Sequence, residues 1–248
     1  MGLVVAGCGG DTAPSPPERA KGEIERFTVR GQDAALIKPT EKTQKVVLYT
    51  HGSGENVENI FRDPKKETIF NALLGAGYAI ATNDAHGDNW GNAASDRDQR
   101  ALDGELRERG LGDVYVLALS MGGFNGLELL DRVDVKAWAG IFPACDLRSV
   151  YDLGLYPGQI RAAYDRRLGD ALAGSSPVDF DPPEGLPMRF WASPGDRVIP
   201  KRENTDACAA LARARGARVE VTTTQGDHGD PSNYDAAGVL RLFESAGD

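Results

Sequence analysis

Cysteine, histidine and tryptophan are each scarce in this chain, with three of each among 248 residues. That is too little cysteine for a disulfide-built scaffold, and a chain of this length buries a full core without one. No Cys-x-x-Cys or His-x-x-x-His spacing occurs, so a structural zinc site has no ligands to draw on. No apolar run approaches the roughly 18 residues that span a bilayer as a helix. Positive charge is in deficit, with 28 Lys and Arg against 37 Asp and Glu, a net of −9. Such a balance argues against nucleic acid as a partner. Glycine (30) and proline (14) are scattered without a period, which excludes a collagen-like chain. What survives is an acidic globular enzyme or binding protein.

The first twenty residues stand apart. Val5-Ala6-Gly7-Cys8 resembles the bacterial lipobox, in which small residues precede a cysteine that is cleaved and lipidated. The Pro-rich polar stretch that follows, residues 11–17, reads as a tether. The apolar stretch before Cys8 is short for a signal and lacks a basic flank. The expectation is a signal whose start lies upstream of Met1, a lipid anchor at Cys8 and an extracytoplasmic location. An incidental Cys8 in a disordered tail, on a cytoplasmic protein that begins at Met1, is the alternative. Whether Cys145 and Cys208 pair stays open, because sequence does not fix their distance; two buried thiols are the plainer reading.

From residue 21 to 248 strand and helix patterns alternate as one domain. Residues 24–30 and 34–38 read as antiparallel edge strands. Continuous apolar runs at 45–50, 78–82, 113–119, 135–142, 188–192 and 217–223 read as buried strands. Helical patterns cover 68–74, 95–109, 121–130, 202–215 and 236–245. Runs buried on both faces and separated by helices predict an α/β fold, a mostly parallel sheet of about eight strands. Between about 146 and 186 Gly, Pro and Asp break the pattern, apart from a helical piece at 158–168. That stretch is a candidate lid.

The chemistry falls at strand ends. Ala118-Leu119-Ser120-Met121-Gly122-Gly123 joins an apolar strand to an apolar helix, the strand–turn–helix context of a nucleophile elbow. A serine there needs small residues two before and two after it, and Ala118 and Gly122 supply them. The following helix aims its free N–H groups at the reacting oxygen. His51-Gly52-Ser53-Gly54 ends an earlier strand, and its glycines let a backbone N–H approach a developing oxyanion. Of His51, His86 and His228, only His228 lies downstream of residue 120, where a base of this chain order must be. Asp196, in Ser193-Pro194-Gly195-Asp196 after a strand, supplies a carboxylate. Asp146 is the rival acid, although an Asp at that point is commonly a helix N-cap.

Together these residues make the chain, over roughly 22–246, resemble the α/β-hydrolase superfamily, nearest its dienelactone-hydrolase and prolyl-oligopeptidase-like branches. The resemblance implies a Ser120–Asp196–His228 triad, with the oxyanion held by the backbone N–H groups of Met121 and Ser53. It implies a serine hydrolase of carboxylic esters that needs no metal or organic cofactor, its partner a small or polymeric ester substrate. The alternatives are a peptidase or amidase of the same fold, or a noncatalytic binding protein. In that family the loop after the second parallel strand, Asp84-Ala85-His86-Gly87-Asp88-Asn89-Trp90, lines the cleft. His51, Gly52, His86 and Trp90 are therefore pocket candidates, and Tyr151, Tyr156 and Trp191 weaker ones. Asp84, His86 and Asp88 alternate as metal ligands can, but loop residues so spaced rarely converge.

Overall fold

The computed structural model describes residues 24–174 and 177–247; Cys8 and its tether lie outside them. Eight strands form one sheet: β1 (Ile24–Val29), β2 (Gln32–Ile37), β3 (Lys45–Thr50), β4 (Ala79–Asn83), β5 (Asp113–Leu119), β6 (Val135–Ile141), β7 (Pro187–Ala192) and β8 (Arg218–Thr223). Their spatial order is β1-β2-β4-β3-β5-β6-β7-β8. Pairing is parallel from β4 through β8, whereas β2 is antiparallel to both its neighbours. The expectation of two edge strands is thereby corrected. Of the two, only β1 is an edge; β2 is interior because it pairs with both β1 and β4, and its last four residues, Ala34–Ile37, are buried.

The sheet is covered on both faces, which is why β3 to β7 read as unbroken apolar runs. Helices α1 (Pro64–Gly75) and α8 (Ala236–Glu244) cover one face. There Ile69, Phe70, Leu73, Val239 and Phe243 pack on Val47, Tyr49, Tyr115 and Leu117. On the other face lie α2 (Ala93–Glu108), α3 (Gly122–Glu128) and α7 (Ala207–Ala214). Their Leu102, Leu106, Leu127 and Ala212 share a core with Leu48, Val116, Trp138 and Phe190. Helix α1 begins four residues before its apolar pattern does. Asp63 caps it by accepting from Lys65 N–H at 3.0 Å, and Pro64 occupies the first helical position, where a missing N–H costs nothing.

Residues 147–173 form three short helices, α4 (Leu147–Asp152), α5 (Pro157–Tyr164) and α6 (Leu168–Ala173). Leu147, Val150 and Ile160 pack with Trp90, Met121 and Phe124 into a third apolar cluster, so this stretch is docked over the start of α3. Leu153 and Leu155, between α4 and α5, are its exposed apolar tip.

Cys145 and Cys208 form a disulfide, correcting the reading as separate thiols. The bond ties the segment after β6 to α7, two elements whose proximity is set by the sheet order and not by any local pattern.

Candidate active site

Register brings the motif loops to one edge. Thr50 lies opposite Ala118, Ala118 opposite Gly140, Gly140 opposite Phe190 and Phe190 opposite Val221. The loops after β3, β5, β7 and β8 therefore leave the sheet side by side at its carboxyl edge, where open α/β sheets bind ligands.

Ser120 follows β5 with φ at +51°, a conformation that costs a non-glycine residue roughly 1–3 kcal/mol. The surroundings fix it. Ser120 N–H donates to the Ile141 carbonyl at 3.1 Å, while the Ser120 carbonyl accepts from Gly123 N–H at 2.9 Å and Ala144 N–H at 2.8 Å. Gly122 is needed for a steric reason, because a Cβ there would collide with the Thr50 carbonyl. Ala118 stands where the usual elbow pattern has glycine. The facing helix makes the room, since a Cβ on Gly126 would come within 2.9 Å of the Ala118 Cβ. Alanine at 118 is thus matched by glycine at 126 across the strand–helix contact.

Ser120 Oγ lies 3.0 Å from His228 Nε2, and His228 Nδ1 lies 2.8 Å from Asp196 Oδ2. Since a carboxylate only accepts, Nδ1 carries the hydrogen and Nε2 is free to accept from Ser120 Oγ–H. Asp196 Oδ1 accepts from Val198 N–H at 2.8 Å and Ile199 N–H at 2.9 Å. The carboxylate is thus locked, with 1% of its side chain exposed against 20% for His228. The loops that carry Asp196 and His228 are also joined directly, Ser193 Oγ donating to the Gly226 carbonyl at 2.7 Å. The Phe142 ring packs 4.2 Å from the imidazole. Asp146 does something else: it is the N-cap of α4, accepting from Ser149 N–H at 2.8 Å.

The loop 51–54 lies against the serine, a Cβ on Gly52 falling 3.5 Å from the Ser120 Cβ. Gly52 N–H donates to Glu55 Oε2 at 3.0 Å, and Gly54 N–H to Asp88 Oδ1 at 2.7 Å. Neither the Ser53 N–H between them nor the Met121 N–H has a hydrogen-bond partner among the described residues. Those are the two amides expected to face an oxyanion.

The pocket candidates lie at different depths, with His51 and Trp90 buried and His86 exposed. His51 is 2% exposed, its ring nitrogens set against the carbonyls of Gly52 at 2.9 Å and Asp84 at 3.0 Å; it shapes the loop from below. The imidazole of His86 turns to the buried Asp98 on α2. Trp90 is 1% exposed and serves as the floor on which the lid rests: the half-buried Tyr156 ring packs on it at 5.0 Å. Of the weaker candidates, Tyr156 is the one drawn to the site. Burial raises its pKa, and the charges of Asp196 and Asp88 raise it further. Tyr151 instead accepts from Arg161 within the lid, and Trp191 is fully buried in the sheet.

The alternating Asp84, His86 and Asp88 do not converge as ligands. Asp84 takes Val57 N–H, His86 faces Asp98, and Asp88 takes the Ser53 hydroxyl and Gly54 N–H. Glu55 and Asp88 are the site residues that motif reading missed or misassigned. Each holds a backbone N–H, a duty that leaves no spacing signature.

No protein-family model and no curated protein matches the chain. Solved structures do match. A Pyrococcus furiosus esterase superposes with a TM-score of 0.67 at 16% identity, over 94% of this chain and 96% of that one. An acylaminoacyl peptidase of Pyrococcus horikoshii gives 0.65 at 14%, over 92% of this chain but 41% of its own. A puromycin-hydrolysing peptidase of Mycobacterium tuberculosis gives 0.65 at 17%, over 93% and 40%. The fold is that of the α/β-hydrolases.

Proposed function

We propose that the chain is a serine hydrolase that cleaves carboxylic esters through an acyl-enzyme. The observation that carries this is the continuous hydrogen-bonded line from Ser120 Oγ through His228 to Asp196 at the carboxyl edge of the sheet. His228 Nε2 takes the Ser120 proton as Oγ attacks the ester carbonyl, and Asp196 stabilises the imidazolium and fixes its orientation. The carbonyl oxygen becomes an oxyanion held by the N–H groups of Met121 and Ser53, the first at the start of α3. The imidazolium then gives its proton to the leaving alcohol. In the second half His228 activates a water, which releases the acid and restores Ser120.

An ester is favoured over an amide by the esterases among the structural neighbours. The exposed Leu153 and Leu155 and the half-buried Tyr156 ring supply an apolar approach from the lid side. A peptidase or amidase is the second reading, favoured by the peptidase neighbours. Turnover on aryl esters of graded acyl length, run beside acetylated polysaccharides and peptide anilides, tests the assignment. Ester turnover at least about 100-fold above anilide turnover in kcat/KM is expected; the opposite order would make the chain a peptidase.

We further propose, from the lipobox-like Val5-Ala6-Gly7-Cys8, that the protein lies outside the cytoplasm, anchored through a lipidated Cys8. The Cys145–Cys208 disulfide supports this, because such bonds persist in oxidising compartments.

A further inference from the structure

Four charged or polar side chains are packed behind the oxyanion loop, away from the triad. Glu55 Oε2 accepts from Gly52 N–H at 3.0 Å and from the Tyr49 hydroxyl at 2.9 Å. Its other oxygen pairs with the Lys66 ammonium, which also meets Asp63 Oδ2 at 3.1 Å. The site is nearly dry: the Lys66 side chain is 6% exposed and that of Glu55 16%. Burial and the neighbouring Glu55 charge push the Tyr49 pKa well up, so its hydroxyl stays a donor. Asp63 is lowered although burial opposes this, because Lys65 N–H and the Lys66 charge outweigh it.

The same turn of α1 reaches the base. Lys65 Nζ donates to the Gly229 carbonyl at 2.8 Å and sits 5.4 Å from the Tyr234 ring. One helical turn, residues 63–66, therefore grips the loop before the nucleophile and the loop that carries His228.

We propose that Glu55 and Lys66 are positioning residues of the oxyanion hole, acting through Gly52 on the Ser53 N–H. The inference rests on the hydrolase reading above. Of three consecutive amides, those of Gly52 and Gly54 are taken by the carboxylates of Glu55 and Asp88. The middle one, Ser53, is left for substrate, and its direction follows from its two fixed neighbours. A carboxylate so close to a developing oxyanion would oppose the reaction if its charge were unbalanced. Lys66 balances it, so Glu55 can fix the loop without repelling the transition state. A role of this kind appears in kcat, since the oxyanion exists only in the transition state.

The test uses the full chain, p-nitrophenyl acetate and backbone amide exchange at residues 52–54. In Lys66→Met, kcat should fall about 10- to 100-fold, less than or comparable to the loss of one oxyanion donor, with KM within about threefold. Exchange at Gly52 should quicken. The double variant Lys66→Met/Glu55→Gln should recover most of the lost kcat, because Gln keeps an acceptor for Gly52 N–H and removes the unbalanced charge beside the oxyanion, while Asp63, which also loses Lys66, is still held by Lys65 N–H. Unchanged kcat and unchanged exchange in Lys66→Met would overturn the positioning role. So would a double variant, folded by circular dichroism, as slow as the single one. A parent chain that turns over no ester contradicts the hydrolase reading instead. In that case slow parental exchange at Gly52, quickened in Lys66→Met, still upholds the brace, and equal exchange overturns it.

Discussion

Among the side chains of Ser120, His228 and Asp196, the carboxylate has the most hydrogen-bond partners. Asp196 is held by two amides on one oxygen and the imidazole on the other. Asp196→Asn offers an amide nitrogen or a weaker acceptor to Nδ1–H and no longer stabilises the imidazolium. It should lower kcat on the order of 10⁴-fold with the fold intact, as such changes do in well-studied triads. Asp146→Asn keeps the cap on α4 and should leave turnover nearly unchanged. Steady-state kinetics on both variants, with circular dichroism as the folding check, decides; the reverse ranking would move the acid to residue 146. These residues were legible in the sequence because a serine between a strand and a helix, and a lone downstream histidine, have few other uses. Glu55 and Lys66 were not, since their partners are a backbone N–H and a buried carboxylate that only the folded chain supplies.

Glu128, at the end of α3, makes a second prediction at this scale. Its Oε2 is out of reach of water and has no hydrogen-bond partner among the described residues. Burial, then the charges of Asp96 and Asp131, raise its pKa from 4.5 to about 8. A carboxyl whose folded pKa is raised binds its proton more tightly in the folded chain, so stability is lost as pH rises across that interval. Glu128→Gln removes the titration and keeps the neutral shape. Its Tm should exceed the parent's by a margin that grows between about pH 5 and pH 8; a margin that does not vary with pH would contradict the assignment.

At the scale of elements, helix α3 is the clearest case of packing overriding propensity. Three of its seven residues are glycine, each costing about 1 kcal/mol against alanine in a helix interior. The helix persists because close approach to β3 and β5 requires that backbone. Gly126→Ala should cost about 1–3 kcal/mol through overpacking against Ala118, Thr50 Oγ1 and Trp138. Ala118→Gly should relieve part of it, and urea unfolding of the two single variants and the double would measure the coupling. Additive losses would mean that residues 118 and 126 are not matched across the strand–helix contact. Strands β3 to β7 were readable because burial on both faces leaves a continuous apolar run, and the edge strand β8 because Val219 and Val221 alternate with the exposed Arg218 and Glu220. In the lid only α5 was readable, as the helical piece at 158–168; α4 and α6 are six residues each, too short to show a period. Helix α7 was expected from residue 202, but its first turn is a π-helical segment, Arg202–Asp206. There the Asn204 side chain turns back to take the N–H groups of Cys145 and Asp146.

For the whole molecule the disulfide carries the largest single expectation. It closes a separation of 63 residues, for which the chain-entropy argument gives about 4 kcal/mol. Replacing both cysteines with alanine should lower the unfolding free energy by about 2–4 kcal/mol. Thiol titration of the unreduced, denatured chain should find neither Cys145 nor Cys208 reactive. Two reactive thiols there, with no stability change on replacement, would contradict the bond. The pairing was beyond sequence reading because it depends on β7 lying between β6 and β8, which returns α7 to the segment after β6, a fact of topology.

The central claim is that Ser120 is a nucleophile made reactive by His228, and a fluorophosphonate probe tests it most directly. Intact-mass spectrometry of the treated chain should show one adduct, peptide mapping should place it on Ser120, and Ser120→Ala should show none. Labelling should slow steeply in His228→Ala, because only a base-activated serine attacks such a probe at neutral pH. An unlabelled parent, or an adduct that persists undiminished in Ser120→Ala, would contradict the account.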